Sequence, residues 1–425
     1  HYKLRGEDSK KEKTFTYKAD VASSEGANNV VLVRYFEDSK NWFSPPEMEP
    51  DEDLGTSDSK KRIRVGIDGL PIVAFHQDKF YGKMNFNNDK GNSRTYGFTD
   101  GDECWEFLHN SSNLVLFKTD DLESINPATG KKMWEESFES RYPEEAGSDD
   151  HPYGQNPGEL DRLKKVLTYV SSTYRNDTDS AELKQAKLNK FRALFMDDPS
   201  VDADIHFDLT STLFYYLYTE LFLMVDSRAK NAMLCWYTER TGGDGRKYGN
   251  KWYWIPYDMD TALGINNEGL LVYNYDKEDT DLQEGMYIFN GQDSAFWQNV
   301  RDAFTTELFA MYSDLRSNNV GREIWSFDIA EKYFEDHQAI WSENIFNEDA
   351  YTKYLEPYVL NKDATYLGMA QGSKMQQRRW WMYNRFKYLD SKYRSGDVKN
   401  NAITIRAYNT VGQKFEIVPY TNCYM

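Results

Sequence analysis

A chain of 425 residues with 40% hydrophobic and 16% aromatic residues has ample material for a core, which excludes an intrinsically disordered protein and implies two or three domains, or one large domain with insertions. Its net charge of −18 repels phosphate backbones, and basic runs such as Lys60–Lys61–Arg62 are flanked by acids, so direct nucleic-acid binding is not expected. Three widely spaced cysteines (Cys104, Cys235 and Cys423) and six scattered histidines give neither a disulfide framework nor zinc-ligand spacing, and no run of about 18 apolar residues is long enough to span a membrane.

In chain order, "TFTYKAD" (Thr14–Asp20) alternates as a strand, and "NNVVLVRYFEDSKNW" predicts a helix from Asn29 to about Asn41. The Pro- and acid-rich "SPPEMEPDEDLGTSDSKK" reads as an exposed loop. Next, "RIRVGIDGLPIVAF" reads as a hairpin turning at Asp68–Gly69, with "FYGKMNFN" (Phe80–Asn87) as the following strand. "NPATGKKMWEESFES" and "GSDDHPYGQNPGE" read as surface connections. From about residue 155 the spacing turns helical: Leu160, Leu163, Leu167 and Val170, then Leu213, Leu217, Leu221 and Met224. In "MQQRRWWMYNRFKYLDSKY", Met382, Phe386, Leu389 and Tyr393 share one face, and Gly396 follows as a stop signal. "NNAITIRAYNTVGQKFEIVPY" alternates again. The fold expected is α+β in two lobes: a small mixed lobe (1–120), a larger mainly helical lobe (121–396) and the start of a β-rich domain (397–425). Both ends read as cuts in a longer polypeptide.

The chemistry concentrates in two stretches. "LFLMVDSRAKN" (Leu221–Asn231) ends an apolar helix in Asp226, Arg228, Lys230 and Asn231. Asp and Asn five residues apart is the spacing of a kinase catalytic loop, where Asp takes the proton of the attacking hydroxyl and Asn holds a metal ion. Arg228 between them is placed to neutralise the transferred phosphoryl group. The plain alternative is a helix cap or an ion pair. After the "TGGDGRKYG" turn, "KWYWIPYDMDTALG" puts Asp258 and Asp260 at the end of an aromatic strand, Trp252–Tyr257. One or two carboxylates with phosphate oxygens and water satisfy Mg²⁺, so Asp258, Asp260 and Asn231 are the metal candidates. Lys18 precedes the first helix, where a kinase keeps its phosphate-pairing lysine, with Glu37 as possible partner; the alternative is an exposed lysine on an edge strand. Lys83 and Lys90 read as surface or turn residues. There is no GxxxxGK[ST] loop and no GxGxxG. A nucleotide-sugar transferase would also use DxD, but it calls for a doubly wound α/β domain ahead of the motif, where this chain shows hairpins.

At these residues the chain resembles the CotH kinase-like family, atypical kinases whose members carry a D-R-x-x-x-N-like loop and a strand ending P-[WY]-D-x-D-x-x-x-G. Here they stand as "DSRAKN" and "PYDMDTALG", ending at Gly264, and the helix "RRWWMYNRFKYLDSKY" resembles the family's closing helix. The resemblance spans about Thr14 to Gly396. It implies Asp226 as base, Asn231 as metal or phosphate ligand, Asp258 and Asp260 as Mg²⁺ ligands under ATP, and a protein as acceptor. Family members open with a segment leading into a Y-P-K-K strand, which this sequence lacks. "GIDGLPIVAF…YGKMNFNNDKG", "TELFLMVDSRAKNAM" and "IPYDMDTALGINNEG" also resemble stretches of very large virion proteins of crAss-like gut bacteriophages. That likeness implies a place in the phage virion, in the tail region, with other tail proteins and the rest of its own polypeptide as partners. The module would be either an active kinase or a catalytically silent structural element. The family itself implies a bacterial spore coat or cell surface as the alternative location.

Overall fold

The computed structural model describes residues 14–20, 27–40, 66–67, 69–91, 96–108, 124–143, 161–225, 227–228, 230–241, 247–266, 271–277, 295–316, 324–340, 374–394, 403–405 and 418–420. The Pro-rich loop after the first helix, "GSDDHPYGQNPGE" and Asp226 lie outside them. The described residues form a mixed α+β protein with antiparallel sheets.

β1 (Phe15–Lys18) pairs with β3 (Lys79–Asn88), which pairs with β2 (Gly69–His76), giving the order β1-β3-β2. The hairpin expected about Asp68–Gly69 has its first arm, residues 62–65, and Asp68 outside the described residues; the hairpin observed joins β2 to β3. It closes at Gln77 and Asp78, both left-handed (φ 51° and 59°), as a two-residue loop between twisted strands requires. Gly69 opens β2 instead, and its role is close approach: a Cβ there would sit 1.9 Å from Asn87 Oδ1. β3 alternates Met84 and Phe86 with Lys83, Asn85 and Asn87, and all three polar side chains are buried.

A second sheet runs β5 (Phe138–Tyr142), β4 (Glu103–Phe107), β6 (Ala232–Tyr237) and β9 (Lys251–Pro256) in spatial order. β5 corrects one expectation. "MWEESFES", read as a surface connection, forms a short helix α2 (Met133–Ser137) leading into a strand that buries Phe138 against Phe107. The two-residue strands β7 (Arg240–Thr241) and β8 (Lys247–Tyr248), which flank residues 242–246, pair antiparallel.

The four-stranded sheet is buried on both faces, and side-chain alternation sorts its residues between two cores. Trp105, Phe107, Leu234, Trp236, Trp252 and Trp254 face the main core. Cys104, Met233, Cys235, Tyr237, Tyr253 and Ile255 face a smaller core covered by Ile67, Tyr96 and Phe98. The main core is filled by α3 (Asp161–Ser171), α5 (Leu209–Leu221), α6 (Ala295–Ala303), α7 (Thr305–Arg316), α8 (Phe327–Gln338) and α9 (Lys374–Tyr393). α4 (Ala181–Ala193) lies at its edge and buries Phe191. α5 starts at Asp208, whose carboxylate accepts from Ser211 N, and is buried on every side from Ser211 to Leu221, as an all-round apolar helix must be.

The first helix, α1 (Asn28–Lys40), belongs to this main core. Tyr35 and Phe36 pack on Tyr218 of α5, whose hydroxyl donates to Leu32 O at 2.6 Å. The core therefore runs across residue 120, and β4 from before that point sits between β5 and β6 from after it. Near the end, β10 (Ile403–Ile405) and β11 (Val418–Tyr420) pair antiparallel. No helix among the described residues is long and apolar enough to cross a membrane.

Candidate functional site

The residues that meet at the end of β9 come from four distant parts of the chain. Lys18, the last residue of β1, puts its Nζ 2.5 Å from Asp258 Oδ1, with the two side chains 33% and 24% exposed. Asp258 stands two residues past β9 in a left-handed conformation (φ 54°), which turns the chain so that its carboxylate meets β1 and α1. The first two residues of α1 clamp this turn. Asn29 Nδ2 donates to Asp258 Oδ1 (3.2 Å) and to Asp20 Oδ1 (2.8 Å), while its Oδ1 accepts from Met259 N (2.5 Å). Asn28 Nδ2 donates to the carbonyl of Asp260 at 3.0 Å. The positive end of α1 thus faces the carboxylate of Asp258, a favourable arrangement.

Burial works against the charge on Lys18, but Asp258, Tyr257 and Asp20 outweigh it and hold the ammonium pKa above its ordinary value. Asp20 is only 7% exposed; burial pushes its carboxyl pKa up, although Asn29, Asn85 and Lys18 pull the other way. Lys90 closes the opposite side. Its Nζ donates to Glu106 Oε1 at 2.9 Å and lies 4.6 Å from the centre of the Tyr257 ring, over which Lys18 also lies at 5.4 Å. Between them is a cleft of about 110 Å³, lined among others by Lys18, Lys90, Asn29, Asn87, Tyr257 and Asp258.

The donor set fits a hard cation and a phosphate. Asp258 offers carboxylate oxygens to the cleft, and Asn87, which also lines it, buries an Oδ1 with no hydrogen-bond donor among the described residues. An oxygen in that state gains from a cation or from a ligand donor. No group of three or more His, Cys, Asp or Glu among the described residues could hold a metal unaided. Magnesium does not call for one when phosphate oxygens and water complete its shell.

The structure brings together Lys18 and Asp258; Asp260 is tied in through its carbonyl, which accepts from Asn28, and neither Asp260 nor Asn231 lines the cleft. Asn231 is left-handed (φ 53°), and its carbonyl accepts from Tyr257 N at 3.1 Å, one residue before Asp258. Asp226 lies outside the described residues. Arg228 is corrected: it is a core residue. Fully buried, it donates to Tyr216 O and Thr219 Oγ1 (both 2.7 Å) and to Glu220 Oε2 (3.3 Å), and it stacks on the Tyr216 ring at 3.9 Å. A guanidinium committed to α5 in this way does not line the cleft. Lys18 is paired, but with Asp258, and Glu37 is not among the groups acting on it. Lys83 is buried and Lys90 lines the cleft, so neither is a plain surface residue.

Asp20, Asn28, Asn29, Asn85 and Lys90 are site residues that the sequence reading missed. A signal was present: polar residues at every second position of an aromatic strand, Lys83-Asn85-Asn87, mark a buried polar face. Comparison with protein-family models and with curated proteins yields no match to this chain.

Proposed function

We propose that the cleft is the phosphate and metal site of a CotH-like atypical kinase domain of two-lobed, kinase-like fold, which transfers a phosphoryl group from ATP to a protein. The observation that carries this reading is the convergence of Lys18 and Asp258, 240 residues apart, in an open charged cleft, with Asn29 bridging Asp258 to Asp20. Lys18 is placed to neutralise a phosphate oxygen and Asp258 to hold Mg²⁺, with Asp260 and Asn231 as its further ligands on the family resemblance. Magnesium, when bound, screens the negative charge of the phosphates and polarises the phosphoryl oxygen. Asn29 holds the Asp258 carboxylate by its amide and the Asp258–Met259 turn by its carbonyl, so the ligand is oriented before anything binds. The Lys18–Asp258 pair must open as ligand enters, each partner exchanging the other for an opposite charge. At about 110 Å³ the cleft takes the phosphate end of a nucleotide, not the whole of it. The role of base rests with Asp226 on the family resemblance. The separate likeness of "GIDGLPIVAF…YGKMNFNNDKG", "TELFLMVDSRAKNAM" and "IPYDMDTALGINNEG" to phage virion proteins supports a place in a large virion protein of the tail region, among other tail proteins.

A second reading is favoured by one observation: Arg228, the cation of the "DSRAKN" loop, is locked into the core. On that reading the module is a catalytically silent structural element of the tail, and Lys18–Asp258 is a clasp between β1 and β9. Calorimetric titration of Mg²⁺ and ATP separates the two. Binding to the wild-type protein that is at least tenfold weaker in Asp258→Asn and in Lys18→Met supports the phosphotransferase. Absence of binding to a folded wild-type protein overturns it.

A further inference from the structure

Independently of the nucleotide site, we propose that Cys104 and Cys235 are a latent disulfide pair that cross-links β4 to β6 when the protein folds in oxidising conditions. Three widely spaced cysteines give no framework by sequence, but sheet register makes two of them neighbours. Cys104 and Cys235 stand directly opposite each other in the antiparallel β4–β6 pair, on the face that carries the smaller core. Residues so placed are the closest side-chain partners a sheet provides.

The two sulfurs are 3.2 Å apart, and a closure of roughly 1 Å brings them to the ~2.05 Å of a bond. β4 can give locally: its register against β5 shifts at Cys104/Trp105, where a strand bends most easily. Both thiols are completely buried, so an oxidant reaches them before the sheet is covered and not afterwards. The step is thiol–disulfide exchange with a small-molecule disulfide such as oxidised glutathione. The Cys104 thiolate attacks that disulfide and releases one glutathione. The Cys235 thiolate then attacks the Cys104 sulfur and releases the second. The two thiols lose two protons and two electrons, which the glutathione disulfide takes up to become two reduced glutathiones. The bond would close a loop of 131 residues and pin the strands beneath the Asp258 turn.

The test is refolding of the wild-type chain in a glutathione redox buffer, followed by alkylation, digestion and mass spectrometry. A Cys104–Cys235 linked peptide is expected, with titratable thiols in denaturant falling from three to one and returning to three on reduction. The melting temperature of the oxidised form is expected to exceed that of the reduced form by several degrees, and the difference to vanish in Cys235→Ala. Cys423→Ser leaves both strands intact and is expected to give the same link, so the test stands even where Cys235→Ala fails to fold. Recovery of Cys104 and Cys235 as separately alkylated peptides from the folded, oxidatively refolded protein overturns the proposal. So does their appearance only in links to Cys423.

Discussion

Two clusters of opposite charges in this molecule look alike on paper and are built on different terms. Around Glu220, the side chains of Arg228 and Arg385 have no exposure at all, and neither is among the described side chains that bury an unsatisfied nitrogen. Arg385 bonds the carbonyl of Glu220 through Nε (3.1 Å) and Nη2 (2.5 Å), and reaches the carbonyls of Tyr275 and Lys277 through Nη1. Lys392 adds a third cation, 3.7 Å from the same carboxylate. Around Asp258, by contrast, Lys18 and Lys90 are each about a quarter to a third exposed, the bridging groups are amides, and buried oxygens nearby lack donors. Charges whose hydrogen bonds are all met internally tie helices together. Charges left at a cleft with acceptors unmet can exchange their partners for a ligand.

The largest effect is expected where the closed network is broken. Glu220→Gln leaves two guanidiniums buried without a counter-charge and should cost about 3–5 kcal/mol in urea unfolding. The same cluster sets an acid limit. Burial disfavours the Glu220 carboxylate, but Lys392, Arg385 and Arg228 together overcome it and hold its pKa below the ordinary 4.5. A depressed folded value means that the stabilisation is complete above the unfolded pKa and is lost as pH falls through the folded one. Wild type should therefore lose stability with acid below about pH 4.5 through a component that Glu220→Gln lacks.

An intermediate effect is expected at Gly264, which ends the turn after Asp260. Its φ is +82°, and a Cβ would stand 2.4 Å from both Trp381 Nε1 and Tyr273 O. Gly264→Ala should cost about 2–4 kcal/mol from strain and displacement of α9, read from the melting temperature.

The smallest effect on stability belongs to the cleft. A double-mutant cycle on Lys18→Met and Asp258→Asn should return a coupling of about 1 kcal/mol or less, because solvent screens a pair this exposed. A coupling near 3 kcal/mol would place the pair in the same class as the Glu220 cluster and favour the structural clasp over the ligand site.

Much of this was legible in the residues. The alternation of Thr14–Asp20, the helix after Asn28, the run to Leu221 and the aromatic strand before Asp258 all stand where their spacing put them. The two carboxylates of "YDMD" were legible as a candidate site because charge at the end of a buried strand is costly without a partner. The partner's identity was not. Lys18 reaches Asp258 through the docking of β1 and α1 beside β9, and no local pattern spans 240 residues. Arg228 was misread for a related reason. Its spacing from Asp226 and Asn231 is a property of the chain, but the direction of its guanidinium depends on how the turn after α5 seats against Tyr216 and Thr219.

The sequence by itself thus determined the long periodic segments, such as α1, α5 and β9, and the carboxylates at the end of β9, since these follow from periodicity and residue type over a few positions. Only the tertiary structure decided which charges meet, which are sealed in the core, and that two distant cysteines share one register. Those outcomes depend on sheet pairing and helix packing between segments far apart in the chain.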